Sequence, residues 1–108
     1  MSMKQKSKVH EVSHAHKQEL EFKAEARRNK LVGLWAAEKM GLEGDAAGAY
    51  ATEVIISDLE EPGVNDVVRK VMADFADKNV AVTEDQLREE LETQLKIARG
   101  QVQAENES

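Results

Sequence analysis

Helix-breaking residues are almost absent from the N-terminal part of this chain. Between His10 and Met40 there is no Pro, and Gly33 is the single Gly. The stretch predicts one long helix that ends at Gly41, because Gly readily adopts the left-handed conformation that commonly terminates helices. Before Leu20 its apolar residues are Val9, Val12 and Ala15. The first two or three turns therefore have little to bury, and they should fray in the free chain.

A second helix is predicted near residues 45–60. Gly44-Asp45 can cap its start, and Pro62-Gly63 cannot continue it. Its apolar stripe at helical spacing consists of Tyr50, Val54, Ile55 and Leu59. The run 54–56 taken alone would also suit a strand, but the spacing favours a helix.

A third helix follows the Pro-Gly break. Asn65 or Asp66 can cap it, and it should end near Lys78-Asn79. Its apolar residues follow the spacing i, i+1, i+4, i+5, i+8 of one helix face: Val67, Val68, Val71, Met72 and Phe75.

The fourth helix begins at a capping box, Thr83-Glu84-Asp85-Gln86, in which the Thr and Gln side chains can bond to free backbone groups. The helix is predicted from Glu84 to about Arg99. Its buried stripe is Leu87, Leu91 and Leu95. Gly100 then begins a polar tail with little to bury, which is expected to be disordered.

These segments predict an all-α fold, a small four-helix domain with a long first helix. The short connections favour helices packed around Trp35, Tyr50, Phe75 and the Leu stripe. Three parts are expected along the chain: a flexible basic N-terminal arm at 1–17, the four-helix domain at 18–99 and a disordered tail at 100–108.

Composition excludes several classes of function. The chain has no Cys, so thiol catalysis and thiolate metal sites are excluded. It contains neither a Gly-rich phosphate loop nor an apolar run of about 18 residues. The acidic pairs Glu60-Glu61 and Glu89-Glu90 point to different helix faces and are unsuited to catalysis. We expect a cytosolic, non-enzymatic protein with no cofactor, no catalytic residue and no direct membrane insertion.

Charge is unevenly distributed along the chain. The net charge is −6, yet residues 1–30 contain eight Lys or Arg and four acids. A basic N-terminal segment on an acidic body suits steering toward an acidic protein surface. Nucleic acid is not expected as a partner, because the segment lacks interleaved aromatic residues and the acidic body would repel a polyanion.

Three His residues lie close together near the N-terminus. His10 and His14 share a helix face at the spacing i, i+4, but His16 points elsewhere and too few ligands are present for a zinc site. No metal is therefore expected. The cluster could instead gain positive charge as the pH falls, since His has an unperturbed pKa of about 6.5.

The polar run from Glu25 to Lys30 admits two interpretations. Arg27 and Arg28 can form ion pairs within the chain, or they can present a cationic patch to phosphate.

The segment Phe22-Lys23-Ala24-Glu25-Ala26-Arg27-Arg28-Asn29-Lys30-Leu31, with Gly33 and Trp35-Ala36-Ala37-Glu38, resembles the zeta-subunit family of proteobacterial F-type ATP synthase inhibitors. Ala49-Tyr50-Ala51, Glu53-Val54, Ser57-Asp58, Glu60-Glu61-Pro62-Gly63 and Asp66-Val67 with Arg69-Lys70-Val71 are similar to that family as well. The resemblance covers about His14 through Leu95.

The resemblance implies a four-helix fold and a regulatory subunit whose N-terminal helical arm inserts into the catalytic head of the synthase and blocks ATP hydrolysis. Family members with an inhibitory arm typically carry two Phe residues before the shared Ala-His, whereas Met3–His10 contains none. Each lost aromatic removes about 150–250 Å² of surface to bury. We therefore expect the inhibition to be weakened or lost in this chain.

Two sets of candidate site residues follow from the charge pattern and the resemblance. For the synthase head, the partner-binding candidates are Lys4, Lys6, Lys8, Val9, Val12 and His16. The alternative function is an adenine-nucleotide-binding or sensing protein that takes ATP or ADP and has no inhibitory role. Its candidate residues are Arg27, Arg28, Lys30 and Trp35. The free protein is expected to be a monomer.

Overall fold

Four helices make up the fold. The computed structural model describes the backbone of residues 2–58 and 63–107, with side chains described for 16–58 and 63–106. The helices are α1 (Ser2–Lys39), α2 (Gly44–Ser57), α3 (Asn65–Asp77) and α4 (Glu84–Glu107). No strand occurs within the described residues, and 54–56 is helical. The all-α, four-helix prediction is confirmed. Leu59 and Pro62 lie outside the described residues.

Two helices end through the same backbone motif. Gly41 has a φ of 79°, and the Leu42 N–H donates to the Ala37 carbonyl oxygen at 2.8 Å. Asn79 has a φ of 58°, and the Val80 N–H donates to the carbonyl oxygen of Phe75, also at 2.8 Å. Both are Schellman endings with a left-handed residue just past the helix. The predicted ends of α1 and α3 are confirmed.

The residues that cap the helix start were predicted correctly only for α4. There the Gln86 N–H donates to Thr83 Oγ1 at 3.1 Å, and the Thr83 N–H donates to Gln86 Oε1 at 2.9 Å. The caps proposed for α2 and α3 are wrong, because the N-cap residues are Glu43 and Val64, without side-chain cap bonds.

The side chains proposed to cap α3 have other partners. Asn65 Oδ1 accepts a hydrogen bond from Arg88 of α4 at 3.1 Å, and Asp66 pairs with Arg69 one turn later. Asn65 thus ties the start of α3 to α4 instead of closing its own helix.

The main core lies where the C-terminal half of α1 meets the other three helices. Trp35 packs edge-on against Phe75, with ring centroids 5.9 Å apart. The Tyr50 hydroxyl donates to Asp74 Oδ2 at 2.8 Å. The buried residues of this core are Val32, Ala36, Ala37, Tyr50, Val54, Val67, Val68, Val71, Phe75, Leu87 and Leu91. Packing around Trp35, Tyr50, Phe75 and two residues of the Leu stripe, Leu87 and Leu91, is confirmed, whereas Leu95 packs in a second cluster.

The structure differs from the prediction at the C-terminal end. α4 does not stop near Arg99 but continues to Glu107, so residues 100–107 are helical instead of a disordered tail. The physical reason is a second apolar cluster between α4 and α1, in which Ala98 and Val102 are buried. A Cβ at Gly100 would meet no atom within 4 Å, so this Gly is not required by packing. Its lower helix propensity costs about 1 kcal/mol, which is less than the free energy gained by burying the apolar residues around it.

Candidate partner interface

The partner-binding candidates lie on α1, and α4 determines which part of α1 is covered. The two helices run antiparallel: Glu21 contacts Arg99, whereas His16, earlier on α1, contacts Asn106, later on α4. Continuing this register puts Glu107, the last described residue of α4, opposite about residue 14. At about 1.5 Å per residue, residues 2–13 are about 18 Å of α1 beyond that point.

An apolar seam holds the middle of α1 against α4. Ala24, Ala98 and Val102 are buried there, and Leu20, Leu31 and Leu95 pack around them. The two Ala residues allow the helices to approach closely, and the Leu side chains cover the sides of the contact. This seam fixes residues 20–31 of α1 to the body of the protein.

Ion pairs flank the seam on both sides. The Arg27 guanidinium donates from both terminal nitrogens to the Glu105 carboxylate, and Nη2 lies 2.9 Å from Oε1. Arg99 donates to Glu21 from Nη2 at 2.8 Å and from Nε at 3.0 Å. The hydrogen bonds from Arg27 lower the pKa of Glu105, and those to Glu21 raise the pKa of Arg99. Such two-nitrogen pairs add orientation to the contact, because the planar guanidinium fits a carboxylate in one way.

Of the partner-binding candidates, His16 is the one whose side chain is described. Its Nε2 donates to Asn106 Oδ1, and its Nδ1 lies 3.9 Å from Glu19 on the same helix. His16 therefore contacts the end of α4. Lys4, Lys6, Lys8, Val9 and Val12 belong to α1, but their side chains lie outside the described residues, as do those of His10 and His14. Where side chains are described, no group of three or more His, Asp or Glu could hold a metal ion.

The nucleotide candidates are distributed over different faces of α1. Arg27 is held by Glu105 of α4, whereas Arg28 is buried and points to the other side, with Nη2 3.7 Å from Asp58 Oδ2 at the end of α2. Successive helical residues diverge by about 100°, so the two guanidinium groups cannot share one ligand side. The structure thus agrees with the first interpretation of this run, in which Arg27 and Arg28 form ion pairs within the chain.

Lys30 and Trp35 do not join the two Arg residues in one site. Lys30 is exposed. Trp35 is partly buried against the main core, and Lys39 Nζ lies 5.8 Å from its ring centroid. Trp35 and Lys39 line a shallow cavity of about 440 Å³ with two acids of α4, Glu89 and Glu90. The four nucleotide candidates are therefore not brought together.

A groove that sequence inspection missed opens where α1 passes the end of α2. It encloses about 350 Å³, and its lining residues include Phe22, Glu25, Ala26, Asn29, Ile55, Asp58 and Gly63. Phe22 is 66 % exposed, which is unusual for an aromatic side chain on a helix that also carries core residues. The signal that could have revealed it is the spacing of Phe22, Ala26 and Asn29, which defines a face distinct from the Leu20, Ala24, Leu31 stripe.

The comparison with protein families decides the family. The model of the ATPase inhibitor subunit zeta family matches residues 1–101. The chain belongs to the ATPase inhibitor subunit zeta family. The match includes the N-terminal arm, residues 1–17. The resemblance found in the sequence is confirmed.

A solved structure supports the fold of this zeta-family chain. A protein determined in solution by NMR has 48 % sequence identity, covers 80 % of this chain and 98 % of its own length, and superposes with a TM-score of 0.71. No curated protein matches the chain. Among the described helices, none combines the length and apolarity that crossing a membrane requires.

Proposed function

We propose that this chain inhibits ATP hydrolysis by the F-type ATP synthase, and that it does so by inserting the N-terminal arm, residues 1–17, into the catalytic head. Membership of an ATPase inhibitor subunit family supports an inhibitory role at the synthase. The insertion step is our inference. The protein acts at the cytosolic face of the membrane in this proposal, as a monomer that is not itself a catalyst.

The observation that carries the proposal is the extension of α1 beyond the end of α4. The helix begins at Ser2, whereas Glu107, the last described residue of α4, lies opposite about residue 14. About 18 Å of one continuous helix is thus available to a partner without opening the seam. A helical segment of this kind suits a binding mode in which the helix lies in a groove of the partner.

The charge and composition of the arm indicate which kind of surface on the head would bind it. The arm contributes Lys4, Lys6 and Lys8, and its apolar residues Val9 and Val12 are small. An acidic surface beside a shallow apolar groove fits this pattern. Without the two Phe anchors, the arm has less surface to bury, and we propose that inhibition is weaker than in members that retain them.

The test is ATP hydrolysis by the purified catalytic head from the same organism. The intact chain is titrated beside a version that lacks residues 1–17, and inhibition that disappears on truncation supports the proposal. A second variant keeps the full length and changes Lys4, Lys6 and Lys8 to Gln. Its control changes Lys30, Lys78 and Lys96 to Gln, which alters the net charge equally but leaves the arm intact. No inhibition by the intact chain in excess would refute the proposal.

The nucleotide alternative has less support from the described side chains. A phosphate would have to displace Glu105 from Arg27 or Asp58 from Arg28, and the two sites face different helices. The alternative requires ATP or ADP to shift NMR signals around Arg28 and Trp35 when no partner is present. Shifts there at millimolar nucleotide would revive it.

A further inference from the structure

The groove lined by Phe22, Ala26 and Ile55, which we call the Phe22 groove, is an apolar site that the described residues of the body leave open. α4 packs against the opposite side of α1, through Leu20 and Ala24. α2 ends at Ser57, just where the groove begins. Exposed aromatic side chains in a concave apolar surface are typical of protein contacts, where they contribute much of the binding energy.

The Phe22 groove is in line with the N-terminal arm. At 3.6 residues per turn, steps of seven residues return to nearly the same face, so positions 15 and 8 share the face of Phe22. A partner that lies along this face of the arm would reach the groove without crossing α4. The groove therefore continues the surface that the proposed function assigns to the arm.

The edge of the groove is acidic. Glu25 and Asp58 both line it. Oδ2 of Asp58 faces Arg28 at 3.7 Å, while its Oδ1 is buried and has no hydrogen-bond donor among the described residues. The two carboxylates give the edge of the groove a negative charge, which a Lys or Arg of a partner would complement. The occupant that fits is an apolar side chain next to a basic one.

We propose that the Phe22 groove is a second docking surface for the catalytic head of the ATP synthase, and that it accepts an apolar side chain flanked by Lys or Arg. The inference rests on the proposed function, because it takes the same head as partner. In this proposal the body of the protein contributes part of the binding free energy, because the small apolar residues of the arm cannot supply all of it. Burying a Phe side chain contributes about 150–250 Å² of contact.

The first experiment measures binding of the full-length chain to the head separately from inhibition of hydrolysis. Phe22→Ala is expected to raise the dissociation constant by about tenfold or more. Phe22 is largely exposed, so the thermal midpoint of the free protein should not change. Ile97→Ala is the matched control, because Ile97 is an exposed apolar residue of α4 outside the groove and is 44 % exposed.

The second experiment locates the contact. Because the chain has no Cys, a single Cys at Ala26 can carry a photoreactive group, and a Cys at Ile97 serves as control. Cross-linking to a subunit of the head from position 26, and not from position 97, supports the proposal. Cross-linking to a second copy of the chain, with self-association that Phe22→Ala abolishes, overturns it.

The outcomes separate the two proposals. Equal affinity and equal inhibition for the wild type and Phe22→Ala would overturn the Phe22 groove as a docking surface and leave the inhibitory arm standing. Binding that depends on Phe22 without any inhibition would refute the proposed function but support the groove. No binding of the wild type to the head would overturn both.

Discussion

Replacing Gly33 with Ala would put a methyl group into the point where α1 crosses α2. A Cβ at this position lies 2.7 Å from Cα of Ala51, 3.2 Å from its Cβ and 3.3 Å from Cβ of Val54. The nearest atom belongs to the backbone, so no side-chain rotation can relieve the contact. α2 would have to move as a unit, and Val54, which is fully buried in the core, would move with it.

Two opposing effects determine the size of the change. Ala is favoured over Gly within a helix by about 0.8–1.0 kcal/mol. Overpacking a well-packed contact costs about 1–3 kcal/mol, and a clash with backbone belongs at the upper end. The overpacking wins, and we expect the free energy of unfolding to fall by about 2 kcal/mol.

The assay is urea unfolding followed by far-UV circular dichroism. Gly48→Ala in α2 and Gly100→Ala in α4 are the controls, because a Cβ there meets no atom within 4 Å. Each should gain up to about 1 kcal/mol, since only the helix propensity changes. If Gly33→Ala were as stable as the wild type while the two controls gained stability, the close approach of α1 and α2 would be refuted.

Three further perturbations test other contacts. Burial, followed by the hydrogen bond to Asp74, raises the pKa of Tyr50. The stability that the neutral phenol contributes is therefore fully present below about pH 10 and declines as the pH rises from there toward the raised pKa. Because Tyr50 is the single Tyr, phenolate absorbance should rise only together with loss of helical signal, and a separate rise in the folded protein would contradict this. Val102→Ala should lower the free energy of unfolding by about 1–2 kcal/mol, whereas a disordered tail would give no change in urea unfolding. Arg27 lowers the pKa of Glu105, so the ion pair stabilises the fold only while Glu105 is ionised. Arg27→Gln should therefore lower the thermal midpoint at neutral pH but not well below pH 4.5, where Glu105 is protonated. A difference in thermal midpoint between variant and wild type that is the same at both pH values would count against the pair.

Features set by neighbouring residues could be predicted from the sequence. The capping box at Thr83 and Gln86, the left-handed ending at Gly41 and the helix end near Asn79 depend on contacts within about one turn, and all are present. Apolar spacing likewise identified the faces of α2 and α3. The cap proposed for α3 failed because capping competes with longer-range contacts, as in the bond between Asn65 and Arg88.

The C-terminal half of α4 and the pairing of the Arg residues could not be predicted in this way. Gly100 and the polar residues after it indicate a helix end, and only the presence of α1 makes burial of Val102 worthwhile. Leu95, Ala98 and Val102 do continue the apolar stripe of Leu87 and Leu91 at helical spacing. This spacing was the sequence signal that could have predicted a longer α4. Which acid Arg27 or Arg28 meets depends on helices far away in the chain, so charge alone left both interpretations open.

The seam between α1 and α4 joins segments that lie far apart in sequence, as in the contact between His16 and Asn106. Because closing so long a loop is entropically costly, we expect the seam to form after the contacts between neighbouring helices. During synthesis the stripe of Leu20, Ala24 and Leu31 is made before α2, α3 and most of α4, and the residues that cover it, Ala98 and Val102, follow only after those segments. The apolar face in the middle of α1 therefore stays uncovered until the second half of α4 has been made.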